Sequence, residues 1–222
     1  MHRDGMWFLY ATCEVPEAES VTPLGWIGVD LGIVNIATTS SGYRAAGRGL
    51  NRHRARQLRL RTKLQAKGTK SAKRVLKRQR RKETRRATDT NHVISKRIVV
   101  EAQRTGRGIG LEDLTGIRER VRLRKPQRAT VHTWAFAQLG SFVGYKACLV
   151  GVPVVFVDPR DTSRTCSACG YVDKKNRVSQ AEFRCRSCGV VAHADENASR
   201  NIAAKAAVVW ERGAESTAPA PA

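Results

Sequence analysis

The sequence predicts an α/β fold in which a mixed β-sheet is flanked by helices and carries a long basic helical insertion and a small cysteine-rich unit. Three observations support this prediction. Short apolar runs typical of strands recur at residues 26–39, 107–114 and 153–157, helical stretches separate them, and four of the six cysteines fall late in the chain in two close pairs. A chain of 222 residues can hold one mid-sized domain with a core and a small satellite.

The first elements are predicted to be strands. Residues 6–15 alternate loosely between apolar and polar side chains, which predicts one strand followed by a linker; we assign residues 1–22 to this segment. Residues 26–39 contain two strand-like runs around Asp30, and the turn at residues 40–42 predicts a hairpin leading to a third strand near residues 43–45. Asp30 is unfavourable in an apolar strand unless it is paired or binds a cation, although it could equally be a turn residue before Gly32.

A strongly basic helical segment follows. Residues 47–66 and 70–105 predict two long helices broken at Gly68. The chain has a net charge of +22, and residues 48–88, called the basic arm below, hold 18 basic residues and one acidic residue. Such segregation indicates a nucleic-acid partner, while a solvated helix face or a membrane-surface segment are the alternatives; the arm has few large apolar residues for a membrane. The predicted contacts are Lys70, Lys73, Arg74, Lys77, Arg78, Arg81, Lys82 and Arg85, with Arg122, Arg124 and Lys125 from a later loop.

The remaining elements complete the predicted sheet and its helices. Residues 107–114 form a buried strand ending in Glu112, a basic loop follows, and residues 131–150 form an amphipathic helix. Residues 153–157 predict a strand covered on both faces, and residues 194–210 a helix with Asp195 in its first turn. We therefore assign residues 23–160 to the core with an insertion at 47–105, residues 161–192 to the cysteine-rich unit, 193–212 to the last helix and 213–222 to a disordered tail.

The cysteine-rich unit has the spacing of a zinc site. Cys166-x2-Cys169 and Cys185-x2-Cys188 are separated by fifteen residues, a pattern typical of tetrahedral zinc held by four thiolates. Two disulfides, or four unrelated core cysteines, are the alternatives. Because few apolar residues lie between the pairs, this unit cannot build a core of its own and needs the metal to hold it.

Three acids could share a second metal site. Asp30, Glu112 and Asp195 lie at strand ends or a helix start, where residues distant in sequence can meet. Three neighbouring carboxylates repel one another unless cations neutralise them, and oxygen ligands suit Mg²⁺ or Mn²⁺. Two such ions could support phosphodiester cleavage. Taken singly, Asp195 could be a helix N-terminal charge and Glu112 a surface acid.

The N-terminal segment has no usable signal peptide, and the chain has no run of eighteen apolar residues, so no membrane association is expected. Its cysteines suit a reducing compartment. We expect a cytoplasmic, nucleoid-associated protein.

Several motifs together resemble a known family. GVDLGIVNIATTSSG, GLEDL and HADENASRNIA are similar to the three RuvC motifs of the transposon-encoded TnpB (OrfB) proteins, and DPRDTSRTCSACGYVDKKNR with FRCRSCG is similar to their inserted zinc ribbon. These proteins are RNA-guided DNA nucleases related to type V CRISPR effectors and are often described as transposases. The resemblance covers residues 6–212. It implies an RNase H-like (RuvC) fold, Asp30, Glu112 and Asp195 as catalytic ligands of Mg²⁺ or Mn²⁺, and the four cysteines on structural Zn²⁺. Ser199 replaces the usual Ala.

One departure from the family pattern affects the expected function. Members carry an N-terminal half that binds guide RNA, and this chain begins near the last strand of that half. We therefore expect a metal-dependent DNA endonuclease that is truncated, or that acts with a separate chain supplying the missing half, with DNA and guide RNA as partners. The alternatives are a non-catalytic, nucleic-acid-binding TnpB remnant and a Holliday-junction resolvase, a group in which the ribbon is not a feature.

Overall fold

The protein is built around a five-stranded mixed sheet. The structure is a computed structural model that describes residues 2–3, 6–7, 9, 11, 14–114 and 136–213. The strands are β1 (His2–Arg3), β2 (Met6–Trp7), β3 (Trp26–Asp30), β4 (Asn35–Thr39), β5 (Arg44–Ala46), β6 (Gly108–Glu112), β7 (Val154–Val157), β8 (Glu182–Arg184) and β9 (Val191–His193). The helices are α1 (Arg48–Lys67), α2 (Lys70–Arg104), α3 (Phe136–Cys148) and α4 (Ala194–Glu211). The mixed α/β prediction is confirmed.

The order of the large sheet is β5–β4–β3–β6–β7. Strands β3, β6 and β7 are parallel, whereas β4 is antiparallel to β3 and β5 is antiparallel to β4. The predicted hairpin and short third strand are therefore present. In the central pair Val29 lies opposite Leu111, so the next residues, Asp30 and Glu112, end neighbouring strands at the same edge of the sheet.

Helices cover both faces of the sheet, as the continuous apolar strands predict. On one face, α2 and α3 pack with Ile98 and Val143 against buried strand residues such as Ile27 and Ile109. On the other face, α4 contributes Ile202 and Ala206, which pack against Val155 and Val157 of β7. The core therefore consists of two apolar layers separated by the sheet.

The basic arm forms two helices that are held to the core at one end. The buried residues of α2 lie mainly between Asn91 and Ala102, while α1 buries only Leu50. Helix α2 is thus anchored in the core near its C-terminus. Between the helices, Arg61 donates to Glu83 Oε2 over 2.8 Å, and Glu83 is the only acid between residues 48 and 88. Gly68 ends α1 with a φ of 64°, in the left-handed region.

The strand predicted over residues 6–15 is much shorter in the structure. Of the described residues between 6 and 15, only Met6–Trp7 belongs to a strand, and it pairs with His2–Arg3 in a separate two-stranded sheet. Trp7 and Leu9 are 81% and 96% exposed. Apolar alternation alone does not hold a strand when no neighbouring sheet buries its apolar side.

Other predictions fall outside the described residues. These include the loop cations Arg122, Arg124 and Lys125, the first five residues of the predicted helix at 131–150, and the tail from residue 214 onward. Within the described ranges, none of the helices combines the length and the apolar character that crossing a bilayer requires.

Candidate metal centres

Two glycines let α4 lie directly on the sheet. A Cβ added at Gly28 would lie 1.9 Å from the Ser199 carbonyl oxygen and 2.4 Å from the Ala203 nitrogen, both backbone atoms of α4. At Gly110 an added Cβ would lie 2.7 Å from Ala206 Cβ. Such distances are far below van der Waals contact, so a side chain at either position would push the helix away from β3 and β6.

This close packing brings the three predicted acids to one place. Side chains alternate along a strand, so Asp30 and Glu112, each two residues beyond one of these glycines, face the same side as α4. Asp195 lies in the first turn of that helix. Electrostatic repulsion from Glu112 and from Asp195 raises the pKa of Asp30, so both carboxyl groups lie close to that of Asp30. The structure thus makes the three carboxyl groups neighbours.

The acids lie in a poorly solvated environment. Burial, followed by repulsion from Glu112 and then from Asp195, raises the pKa of Asp30 to about 8, against an opposing effect of Arg177. Burial also raises the pKa of Glu112, while the hydroxyl of Thr162 and the charge of Lys205 act in the opposite direction. Neighbouring carboxyl groups with raised pKa values, as Asp30 and Glu112 have here, are common in sites that bind cations or carry out acid–base chemistry.

Asp195 is held by two partners from different elements. The residue is only 6% exposed. Asn35 at the start of β4 donates to Oδ2 over 2.9 Å, and Arg177 from the cysteine-rich unit donates to Oδ1 over 3.4 Å. His193 Nδ1 accepts a bond from the Asp195 backbone N–H and caps the helix. The Asp195 carboxylate is therefore fixed in orientation at the helix N-terminus.

The donor set of the three acids fits an oxygen-preferring divalent cation such as Mg²⁺ or Mn²⁺. Three largely buried carboxyl groups lie near one guanidinium, that of Arg177, and the ammonium group of Lys205, so their charge is only partly compensated. Thr38, directly opposite Asp30 in the antiparallel pair, is fully buried, and its hydroxyl has no hydrogen-bond partner within the described ranges. A hydrated cation would satisfy both the charge and a nearby unpaired hydroxyl.

The four cysteines form the most compact candidate metal site. Among residues 14–114 and 136–213, only Cys166, Cys169, Cys185 and Cys188 form a His, Cys, Asp or Glu group whose ligand atoms all lie within 4.8 Å of one another. Their Sγ atoms approach to 3.7 Å for Cys166–Cys188 and 3.6 Å for Cys169–Cys185. The three acids are neighbours but not such a closed cage.

The two halves of the cysteine site have matching backbones. Gly170 and Gly189 directly follow the two pairs, and their φ angles of 76° and 74° lie in the left-handed region that favours glycine. The backbone N–H of Cys188 points to the sulfur of Cys185 and lowers the pKa of that thiol to about 6. Thiolate sulfurs that accept backbone N–H bonds are suited to holding a cation.

A buried asparagine joins the two halves. Asn176 is fully buried; its amide donates to the carbonyls of Arg164 and Tyr171 and accepts from the backbone N–H of Arg186. The three bonds connect the segment before the first cysteine pair, the first turn and the second turn. Because the unit has little apolar core beyond Phe183, this asparagine and a bound metal would supply most of its rigidity.

Sequence reasoning missed several polar residues around the acids. Arg177 was one cation among many in a basic sequence, and nothing local indicated that it reaches Asp195. Thr162 donates to Glu112 Oε1 over 2.6 Å, a contact between residues fifty positions apart. Asn197 and Asn201 were detectable in part, because their spacing of four places them on one face of α4.

The predicted nucleic-acid contacts of the basic arm lie mostly at the surface. Lys70, Lys73, Arg74, Lys77, Arg78, Lys82 and Arg85 are exposed, and Arg81 is half-buried. They all belong to the first half of α2, away from the end that is anchored in the core. This placement leaves the charges accessible to a polyanion; the role itself stays a prediction.

The fold and these sites define the class of protein: an α/β protein with three clustered, largely buried acids next to a tetracysteine unit. Residues 136–202 match the family model described as Cas12f1-like, TNB domain. The chain is 44% identical, over 51% of its length and 26% of the relative, to the CRISPR-associated endodeoxyribonuclease Cas12f1 of Sulfoacidibacillus thermotolerans. It is 36% identical to a TnpB-like protein of Methanocaldococcus jannaschii, over 54% of this chain and 43% of that one.

A solved structure agrees with the fold. The cryo-EM structure of a CRISPR-Cas12f ternary complex superposes with a TM-score of 0.64 and 22% identity, over 86% of this chain and 40% of that one. The resemblance to the TnpB and Cas12f proteins that the motifs indicated is thus confirmed. It spans half or less of the length of the curated relatives that it matches.

Proposed function

We propose that this chain is the nuclease part of a TnpB-type, divalent-metal-dependent DNA endonuclease with a RuvC-type, RNase H-like core. The observation that carries the proposal is the meeting of Asp30, Glu112 and Asp195 at the carboxyl edge of the parallel strands. The three carboxylates would hold Mg²⁺ or Mn²⁺, and these ions would activate water and stabilise the leaving oxygen of a phosphodiester. The names of the relatives support an RNA-guided endonuclease activity for the complete system.

The remaining parts of the chain have roles in binding and positioning. The basic arm would bind phosphate backbones, with a strong dependence on salt. The four cysteines would hold Zn²⁺ and give the unit that carries Arg177 a fixed shape. Guide RNA and target DNA would be the partners, and the activity would serve transposition, with a separate chain supplying any guide-binding part that this one does not provide.

The direct test is cleavage of labelled single-stranded DNA by the purified chain. We expect cleavage with Mg²⁺ or Mn²⁺, none after chelation, and a loss of at least about a hundredfold in Asp30→Ala, because that change removes a ligand of the metal pair. Asp89→Ala, which removes an exposed acid of α2, is the matched control and should cleave normally. Equal cleavage by Asp30→Ala and the wild type would refute the proposal.

A second candidate is a non-catalytic nucleic-acid-binding protein. It is favoured by one observation: Arg177 already pairs with Asp195, and a guanidinium can neutralise acids without supporting turnover. In that case the chain would bind DNA through its arm with the expected salt dependence, but wild type and Asp30→Ala would both lack metal-dependent cleavage.

A further inference from the structure

The segment between β7 and the first cysteine pair places one hydroxyl on the carboxylate of Glu112. Thr162 is 3% exposed, and its Oγ1 lies 2.6 Å from Glu112 Oε1 and 3.0 Å from the carbonyl oxygen of Pro159. A hydroxyl has one proton to donate, and the shorter distance and the charge of the acceptor favour Glu112. Thr162 therefore fixes one of the two carboxylate oxygens of Glu112, and among the described residues no hydrogen bond to the other oxygen is seen.

The position of Thr162 is set by a polar stripe on α4. Asn197, Asn201 and Lys205 are spaced by four residues and so share one face of the helix. Their six hydrogen bonds reach five backbone groups of residues 158–167: Asn197 with Ser167 N (2.9 Å) and Thr165 O (2.7 Å), Asn201 with Thr162 O (2.8 Å) and Thr165 O (2.7 Å), and Lys205 with Asp158 O (2.9 Å) and Arg160 O (2.6 Å). The segment is thus attached to the helix along its whole length.

The same helix also carries Asp195. One rigid element therefore sets the position of one acid directly and of a second acid, Glu112, through Thr162. Backbone groups bound by buried amides cannot shift without losing several hydrogen bonds at once, so the bond from Thr162 to Glu112 is built into the fold. A partner fixed in this way is the usual means by which a protein orients a metal-binding carboxylate.

We propose that Thr162 is a positioning residue for Glu112: it holds Oε1 so that Oε2 is presented to the divalent cation. This inference rests on the proposed function, because it assumes that the three acids bind Mg²⁺ or Mn²⁺. It adds a residue outside the acids whose hydroxyl sets the affinity of the site while touching neither the cation nor the nucleic acid.

The test measures Mn²⁺ binding to the zinc-loaded full chain by calorimetry, independently of cleavage. Thr162→Val keeps the size of the side chain and removes the hydroxyl, and we expect it to weaken Mn²⁺ binding about tenfold, the usual cost of losing an outer partner of a ligand. Thr162→Ser restores the hydroxyl and should bind within about threefold of wild type. Thr165→Val is the matched control, because its hydroxyl donates to the Asp161 carbonyl in the same segment and should leave Mn²⁺ affinity unchanged.

Zinc content and the temperature of thermal unfolding are measured on each variant. Values equal to those of wild type show that a change in Mn²⁺ affinity does not come from a loss of folding. Equal Mn²⁺ affinity in Thr162→Val and wild type would overturn the inference alone. Equally weak binding by the Val and Ser variants would also overturn it, because the hydroxyl would then not be the determinant. If wild type shows no Mn²⁺ binding that Asp30→Ala abolishes, the metal site of the proposed function fails, and this inference fails with it.

Discussion

The charge of Asp30 depends on whether a divalent cation is bound next to it. Its pKa of about 8 lies well above that of an Asp in an unfolded chain, about 4. The folded chain without a divalent cation therefore binds a proton on Asp30 at pH values where the unfolded chain has released it. Stability from this carboxyl is complete below pH 4, is lost as the pH rises through about 8, and is constant above that.

Asp30→Asn should consequently stabilise the chain at high pH, in the presence of zinc and the absence of Mg²⁺. The amide has nearly the shape of the protonated acid but cannot ionise. We expect the free energy of unfolding of Asp30→Asn to exceed that of wild type by about 2 to 5 kcal/mol at pH 9 and to equal it near pH 4. Urea denaturation of both proteins at several pH values between about 4 and 9 measures the difference in the free energy of unfolding. Asp89→Asn, at an exposed position, should give no such divergence, and a constant difference across pH would contradict the assignment.

The sequence was sufficient to select the three acids but not their partners. Asp30 stands out because it follows an apolar strand, Glu112 because it ends one, and Asp195 because it opens a helix; each signal is local. Arg177 and Thr162 reach the acids through a segment whose course depends on the cysteine unit and on α4. No pattern of hydrophobic periodicity describes such a course, so these contacts could be found only in the folded structure.

At the scale of elements, α4 determines the geometry of the site. It packs on β3 and β6 through the space left by two glycines, carries Asp195, and binds residues 158–167 through its polar stripe. Its length was predicted within one residue, Ala194–Trp210 against the observed Ala194–Glu211. The close approach was not predictable, because a glycine in a strand can equally mark a bulge.

Gly28→Ala should therefore displace α4. The added methyl group would meet backbone atoms of the helix, which cannot rotate away as a side chain could. We expect a loss of about 3 kcal/mol or more in the free energy of unfolding, measured by urea denaturation. Gly49→Ala is the matched control: nothing lies within 4 Å of its added Cβ, and in helix α1 the change should be neutral or stabilise by up to about 1 kcal/mol. A Gly28→Ala variant as stable as wild type would disprove the close packing.

At the scale of the whole molecule, the positive charge is concentrated in the basic arm. The arm carries a net charge of +17 from its 18 basic residues and single acid, and this segregation was visible in the sequence because charge needs no fold to be counted. The anchored end of α2 was also indicated by the sequence, since Ile94 and Ile98 belong to an apolar stripe near the C-terminal end of this helix. The pairing of the lone acid Glu83 with Arg61 was not predictable, because it depends on how the two helices align.

If the arm binds nucleic acid, its charges should set the salt dependence of binding. We expect the slope of log affinity against log salt for single-stranded DNA to fall by as much as about 3 when Lys73, Arg74, Lys77 and Arg78 are changed to Gln, near 0.7 for each phosphate that the arm no longer neutralises. The control variant changes four exposed cations outside the arm, Lys96, Arg104, Arg107 and Arg212, and removes the same total charge. Fluorescence anisotropy between 50 and 300 mM salt, about the range where such slopes are resolved, compares the two. A purely long-range effect of net charge would lower both slopes equally. A larger decrease in the arm variant would therefore support direct binding of phosphates by the arm. Equal decreases in the two variants would show that the arm does not contact the phosphates.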